Sequence, residues 1–291
     1  MFMKDTKVTV DGTKVAFNSL TAVQKATFIK GNNLYERFRT GYFLVETSFS
    51  AFDVGFNGIG SYNVENSSGV ATRYFDGVMC GDNNGEHSQL VLVISDEKKE
   101  AKRYYGLFGY LGSNAVVRNL KIRASIGVYE EADSDDELHS DGIYAGAVAG
   151  WAEDALVKDV NIAAEISVNV TQCNETAAGA IVGYADGFNV DDISNINDMD
   201  HICKITVNTA GCNQHSRAGN GYVGYLAGFA ENTYVKKLEV DNSDMTLDVR
   251  NHDSYNDNIG VGGLIGHYHN TIESRFENIH YYGESNFRIE A

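Results

Sequence analysis

Proline is missing altogether from the 291 residues, where average usage of about 5% would supply roughly 14. Proline has no N–H to donate, so uninterrupted strand ladders disfavour it; that accounts for strands but leaves its absence from the turns unexplained. Cysteine is scarce. Four residues, at 80, 173, 203 and 212, are too few to staple a chain of this length, and no Cys-x-x-Cys pair is present to hold zinc. Basic residues are short too, 23 against 40 acidic for a formal charge of −17, so nucleic acid would be repelled before contact and is not expected as a partner. Long apolar runs are lacking: the longest aliphatic stretch is Leu90–Ile94, far below the roughly 18 to 20 residues of a spanning helix, and no membrane insertion is expected in this segment. The opening Met1–Asp5 lacks the apolar centre of a signal peptide, so an exported protein would have lost its signal or be a piece of a longer chain. There is no GxSxG, HExxH or phosphate-binding glycine loop, which leaves nucleophilic and nucleotide chemistry unsupported.

What is present is a repeat. The chain is 43% hydrophobic with 30 glycines and 17 tyrosines, a folded rather than disordered composition. Five segments share a small apolar run ending in glycine, a polar turn and then a strand. They are Gly106–Gly109 before Val117–Ile122, Gly146–Gly150 before Val157–Ile162, Gly179–Gly183 before Val190–Ile193, Gly224–Gly228 before Val235–Val240, and Gly262–Gly266 before Ile272. The anchor glycines Gly109, Gly150, Gly183, Gly228 and Gly266 recur with a mean period of about 39, and insertions vary between them. Fixed anchors with variable insertions mark a solenoid whose loops absorb the differences. The second half of each segment reads Val-polar-polar-apolar-polar-apolar with β-branched residues, which favours strands over helical repeats. Glycine permits the tight bends and close backbone approach that a coil corner needs.

These segments, with Phe56–Gly60, Tyr74–Gly77 and Gly81–Gly85 as a lead-in before the strand Gln89–Ile94, resemble the GLUG repeat, named for its Gly-Leu-any-Gly core. Departures are the insertion Val78–Cys80 and Ala147 where the motif has leucine. The resemblance covers residues 40 to 283 and implies an all-β, right-handed parallel β-helix of about five coils, in a large bacterial secreted or cell-surface protein. Repeats of this kind accompany many functions.

Residues 1–39 read as a separate N-terminal cap and 40–291 as the solenoid. Val8–Phe17 carries Asp11-Gly12 at its centre and predicts a hairpin; Ser19 then N-caps an amphipathic helix over 20–38. Such a cap would cover the unpaired ladder of the first rung.

The insertions 130–141, 172–176, 211–220 and 251–258 follow equivalent strands and are expected along one edge as a polar, acidic ridge. Its candidate binding residues are Asp133, Asp135, Asp136, Glu137, His215, Asp253 and Asp257. Asp133, Asp135, Asp136 and Glu137 offer hard oxygen ligands for Ca²⁺, the one cofactor worth considering, although an EF-hand arrangement is absent and a solvated charge run reads as well. Ile166-to-Cys173 and Ile205-to-Cys212 have equal spacing, so Cys173 and Cys212 are expected on adjacent coils, within reach of a disulfide. His267 and His269 share one side of a strand but lack a third ligand, so no metal site is expected. Asp159, Asp191, Asp192 and Glu239 fall at positions assigned to the outward face. No carboxylate pair stands out for hydrolysis.

The reading from sequence is therefore a non-enzymatic extracellular module for adhesion or scaffolding, presenting a rigid polar face to a cell-surface glycan or protein, or self-associating in a surface assembly. The alternative is a carbohydrate-active or peptidase-associated β-helix that binds or cleaves polysaccharide.

Overall fold

The computed structural model describes residues 7–10, 13–16, 19–21, 39–46, 48–50, 58–66, 69–82, 85–96, 104–130, 142–171, 173–195, 203–210, 219–241, 245–251, 258–269, 274–282 and 286–290, and every element among them is a strand. Of the segment 20–38 read as a helix, residues 22–38 lie outside this set. Lys7–Val10 and Thr13–Ala16 pair antiparallel with Val10 opposite Thr13, a hairpin around Asp11-Gly12.

The rest of the architecture is three long parallel sheets. Sheet I holds 14 strands, among them Tyr42–Val45, Val78–Gly81, Ser88–Asp96, Val116–Glu130, Leu156–Thr171, Asn189–Asn195, Lys204–Ala210 and Thr246–Asn251. Sheet II holds Tyr104–Tyr105, Ile143–Gly146, Glu175–Gly179, Asn220–Gly224 and Ile259–Gly262. Sheet III holds Phe108–Leu111, Ala149–Glu153, Val182–Asp186, Ala227–Glu231 and Ile265–His269. The chain visits sheets I, II and III in that order and then repeats, so every strand pairs in parallel with its counterpart one repeat later. Ser61–Asn66 and Gly69–Arg73 form an antiparallel hairpin projecting between two early contacts with sheet III, Ile59 with Phe108 and Phe75 with Leu111.

Register turns the repeat into a core. Ile94, Ile126, Ile166, Ile205 and Leu247 stand in one file through successive pairings of sheet I, and all are buried. Val117, Val157, Val190 and Val235 form another buried file. Each such side chain stabilises by roughly 1.5 to 3 kcal/mol on burial, and stacking like on like keeps interior packing uniform from rung to rung. Tyrosine is not confined to the outside, however: Tyr225 is fully buried in this core and Tyr105 nearly so.

In the Val-polar-polar-apolar motifs at 117, 157 and 190, and in the matching 276–279, though not in Val235–Leu238, the second polar residue has a specific conformational role. Asn119, Asp159, Asp192 and Asn278 adopt positive φ, between 51° and 61°, the left-handed region that asparagine and aspartate tolerate best. They bend sheet I, so that apolar residues on both sides of the bend, such as Val117 and Leu120, point into the core. Asp159 and Asp192 are therefore bend residues, where strand alternation alone had assigned them a simple outward face. After the fifth anchor the chain rejoins sheet I at Arg275–Phe276, with Phe276 opposite Val235; Ile272, the expected position, lies outside the described residues.

The anchor glycines sit where sheet III meets sheet II. A Cβ on Gly183 would lie 2.5 Å from the Ala145 nitrogen, and the same atom on Gly228 or Gly266 would lie 2.5 Å from the nitrogen of Ala178 or Val223. Gly150, Gly183, Gly228 and Gly266 are thus pressed against the sheet II strand of the preceding rung, backbone to backbone. Substituting Gly183→Ala should cost about 3 kcal/mol by overpacking, whereas Gly127→Ala, with nothing within 4 Å of the new Cβ, should change stability by less than about 0.5 kcal/mol. Urea titration of both variants checks this, and equal effects would contradict it.

Candidate functional site

Where sheets II and III close on one another they trap a second cluster, separate from the main core. Tyr144, Ala177 and Tyr222 are buried there, and Tyr104, Trp151, Tyr184 and Phe229 pack against them. The position after each anchor glycine supplies one column: Tyr110, Trp151, Tyr184, Phe229 and His267 are register partners along sheet III. Their rings stack with centroid separations of 5.9, 3.9, 4.7 and 5.0 Å and interplanar angles of 6°, 8°, 9° and 24°. Tyr144 meets Trp151 and Tyr184 edge-on from sheet II, at 5.3 Å in both cases. Offset-stacked and edge-to-face pairs contribute about 0.5 to 1.5 kcal/mol each beyond their buried area.

Two residues beyond each ring runs a polar file, Glu153, Asp186, Glu231 and His269. The Tyr110 hydroxyl donates to Glu153 Oε2 and the Tyr184 hydroxyl to Glu231 Oε1, each reaching the next rung. Asn232 Nδ2 donates to Asp186 Oδ1 at 3.2 Å, and His269 Nδ1 lies 3.4 Å from Glu231 Oε2. Along sheet II Tyr144 donates to Glu175 Oε1 at 2.8 Å. Burial pushes the Glu175 carboxyl above the usual range, opposed by the Tyr144 hydrogen bond and reinforced by Glu231. Asp186 is raised by partial burial, with Glu231, Glu153 and Asp154 adding like charge. Burial also lifts the Tyr222 phenol to about 12.

No known family, curated protein or solved structure matches the chain. What the site can do must be read from its chemistry. Ring faces in the column are covered by neighbouring rings, so the column acts first as a stacked brace between rungs. Glu153 and Glu231 accept from tyrosine hydroxyls, Asp186 accepts from the Asn232 amide, and His269 lies beside Glu231. Among the described residues no group of three or more His, Cys, Asp or Glu side chains is arranged to hold a metal ion.

The residues proposed for an acidic ridge, Asp133, Asp135, Asp136, Glu137, His215, Asp253 and Asp257, lie outside the described residues. The strands flanking their segments are described. Segments 131–142, 172–174, 211–219 and 252–258 each join a sheet I strand to a sheet II strand, so they leave and enter the fold at one corner. Cys173 is buried, and its Sγ donates to the Glu175 carbonyl at 3.0 Å. Cys212 lies outside the described residues, but the equal spacing behind its pairing is observed as Ile166 opposite Ile205 and Thr171 opposite Ala210. His267 is engaged in the aromatic column, with Tyr222 also 4.7 Å from its ring. The signal for the column was available: an aromatic ring follows every anchor glycine, and an acid follows two residues later at 153, 186 and 231.

Two outcomes follow from this geometry. Tyr184→Ala removes two stacked neighbours and should cost about 2 kcal/mol, while Tyr129→Ala, half exposed on sheet I, should be near neutral; urea unfolding compares them. Glu175 has a raised folded pKa, so the native state keeps its proton at a pH where the unfolded chain has lost it. Its contribution therefore favours the fold in acid and fades as pH rises through the folded pKa. Glu175→Gln should raise the melting temperature relative to wild type more at pH 7.5 than at pH 5, and the reverse order would contradict this.

Proposed function

We propose that this chain is a right-handed parallel β-helix of the GLUG-repeat kind, serving as a non-enzymatic adhesion or scaffold module at a cell surface. The observation that supports it best is the continuous parallel register of three sheets through successive repeats, with the aromatic column braced against itself. A rod of this construction keeps its outward positions at fixed spacing, and that is the property a presenting surface needs. Right-handedness follows from the rule that parallel crossover connections take that hand in about 98% of cases. The formal charge of −17 suits an outer surface and weighs against nucleic acid. The corner where sheet I passes to sheet II, carrying the acidic insertion 130–141, is the first candidate for contact with a surface glycan or protein, with Ca²⁺ as a candidate ligand of its aspartates. The N-terminal hairpin belongs, in this reading, to a cap on the first rung.

One observation favours the second reading, a polysaccharide-active β-helix. Glu153, Asp186 and Glu231 line up beside aromatic rings, the ingredients of a sugar cleft. Two of these acids are already held by tyrosine hydroxyls, which weighs toward structure. Incubation of the chain with a panel of polysaccharides, alongside a glycan array and whole-cell binding, separates the readings. Retention on glycans or cells without release of reducing sugar is expected. Release that disappears in Glu231→Gln would overturn the scaffold reading.

A further inference from the structure

Sheet III changes residue type at two matching places in its last strand. Its ring column runs Tyr110, Trp151, Tyr184, Phe229 and its polar file Glu153, Asp186, Glu231; Ile265–His269 continues both with histidine, His267 opposite Phe229 and His269 opposite Glu231. Each histidine meets the preceding rung through a contact that strengthens when the imidazole takes up a proton. His267 has its ring centroid 5.0 Å from that of Phe229 and 4.7 Å from that of Tyr222, so an imidazolium there is a cation against two aromatic rings. His269 Nδ1 lies 3.4 Å from Glu231 Oε2, and protonation turns that contact into an ion pair.

The charged groups around the two rings are acidic. On sheet III Asp186 stands one rung behind Glu231, and from sheet II Glu175 acts on both Glu231 and Tyr222. The Tyr222 phenol, lifted to about 12 by burial, stays neutral, and the Tyr184 hydroxyl donates to Glu231 Oε1 without cancelling its charge.

We propose that His267 and His269 form a proton-operated latch between Ala227–Glu231 and Ile265–His269, tight in mild acid and looser at neutral pH and above. It depends on the pairing of these two strands and not on what the module binds. Both contacts exist only in the folded chain, so proton uptake and docking of the strand favour one another. The gain is present below the range in which imidazole titrates and is lost as pH rises through it. The His269 side chain is 58% exposed, which screens its ion pair, so His267 carries the larger share. The carboxyls of Glu175 and Asp186, raised chiefly by burial, stabilise the fold in the same direction, and the latch is therefore read as a difference between chains that keep both.

Hydrogen exchange of the full chain at about pH 5.5 and about pH 7.5, corrected for the intrinsic effect of pH, tests this. Amides of Ile265–His269 should be about fivefold better protected in acid. His267→Phe keeps a ring in the column and His269→Gln keeps a hydrogen-bonding group beside Glu231, so the doubly substituted chain should pair as wild type does while retaining less than about half of that gain. Should the double substitution disturb the fold, seen by circular dichroism, His267→Phe alone should still lose the larger share. A wild-type gain below about twofold, a loss of protection in acid, or a gain that survives the substitutions undiminished would each overturn the latch.

Discussion

At its anchor glycines sheet III meets sheet II backbone to backbone, and the rest of the molecule is arranged around that contact. Gly183, Gly228 and Gly266 each bring their α-carbon where a Cβ would collide with the backbone nitrogen of a residue one rung earlier. The close approach fixes the angle between the two sheets. It also sets the distance at which rings from the two sheets interleave, so the aromatic column and its hydroxyl-bound carboxylates depend on it. Sheet I, opposite, is left to fill the main core with files of branched aliphatic side chains.

The division of labour shapes where insertions are tolerated. Between sheets II and III the chain has two residues in which to turn, buried in the first four repeats and half-buried in the fifth. Between sheets III and I the turn is two residues in the three middle repeats and uses left-handed Asp154, Gly187 and Asn232 at equivalent places. The passage from sheet I to sheet II is free of these constraints, and its length runs from 12 residues between Glu130 and Ile143 to three between Thr171 and Glu175; a further insertion, between Asn195 and Lys204, interrupts sheet I itself. Loop length costs little entropy once the ends are fixed, so this corner can vary without loss of the parallel register.

Much of this was legible in the sequence, and for physical reasons. The anchor glycines announce themselves because no other residue fits, and the valine and isoleucine files do so because parallel register repeats the same burial at the same place. The αL bends at Asn119, Asp159, Asp192 and Asn278 were not legible as bends, since aspartate and asparagine are also ordinary outward residues of a strand. The aromatic brace was missed although Tyr110, Trp151, Tyr184, Phe229 and His267 all follow an anchor, because ring type varies and its partners come from the other sheet. The raised carboxyl of Glu175 depends on burial between two sheets, which no spacing within one segment reveals.

The central claim is that successive repeats lie one over another in register, and sheet I offers a direct ruler for it. Ser125, Glu165, Lys204, Thr246 and Asn286 are consecutive partners in one file. Spin labels at Ser125 and Lys204, and at Ser125 and Asn286, in a chain whose native cysteines are replaced, should report separations of about 10 and 19 Å, two and four rungs at about 4.8 Å each. Separations that fail to grow with the number of intervening repeats would contradict the account.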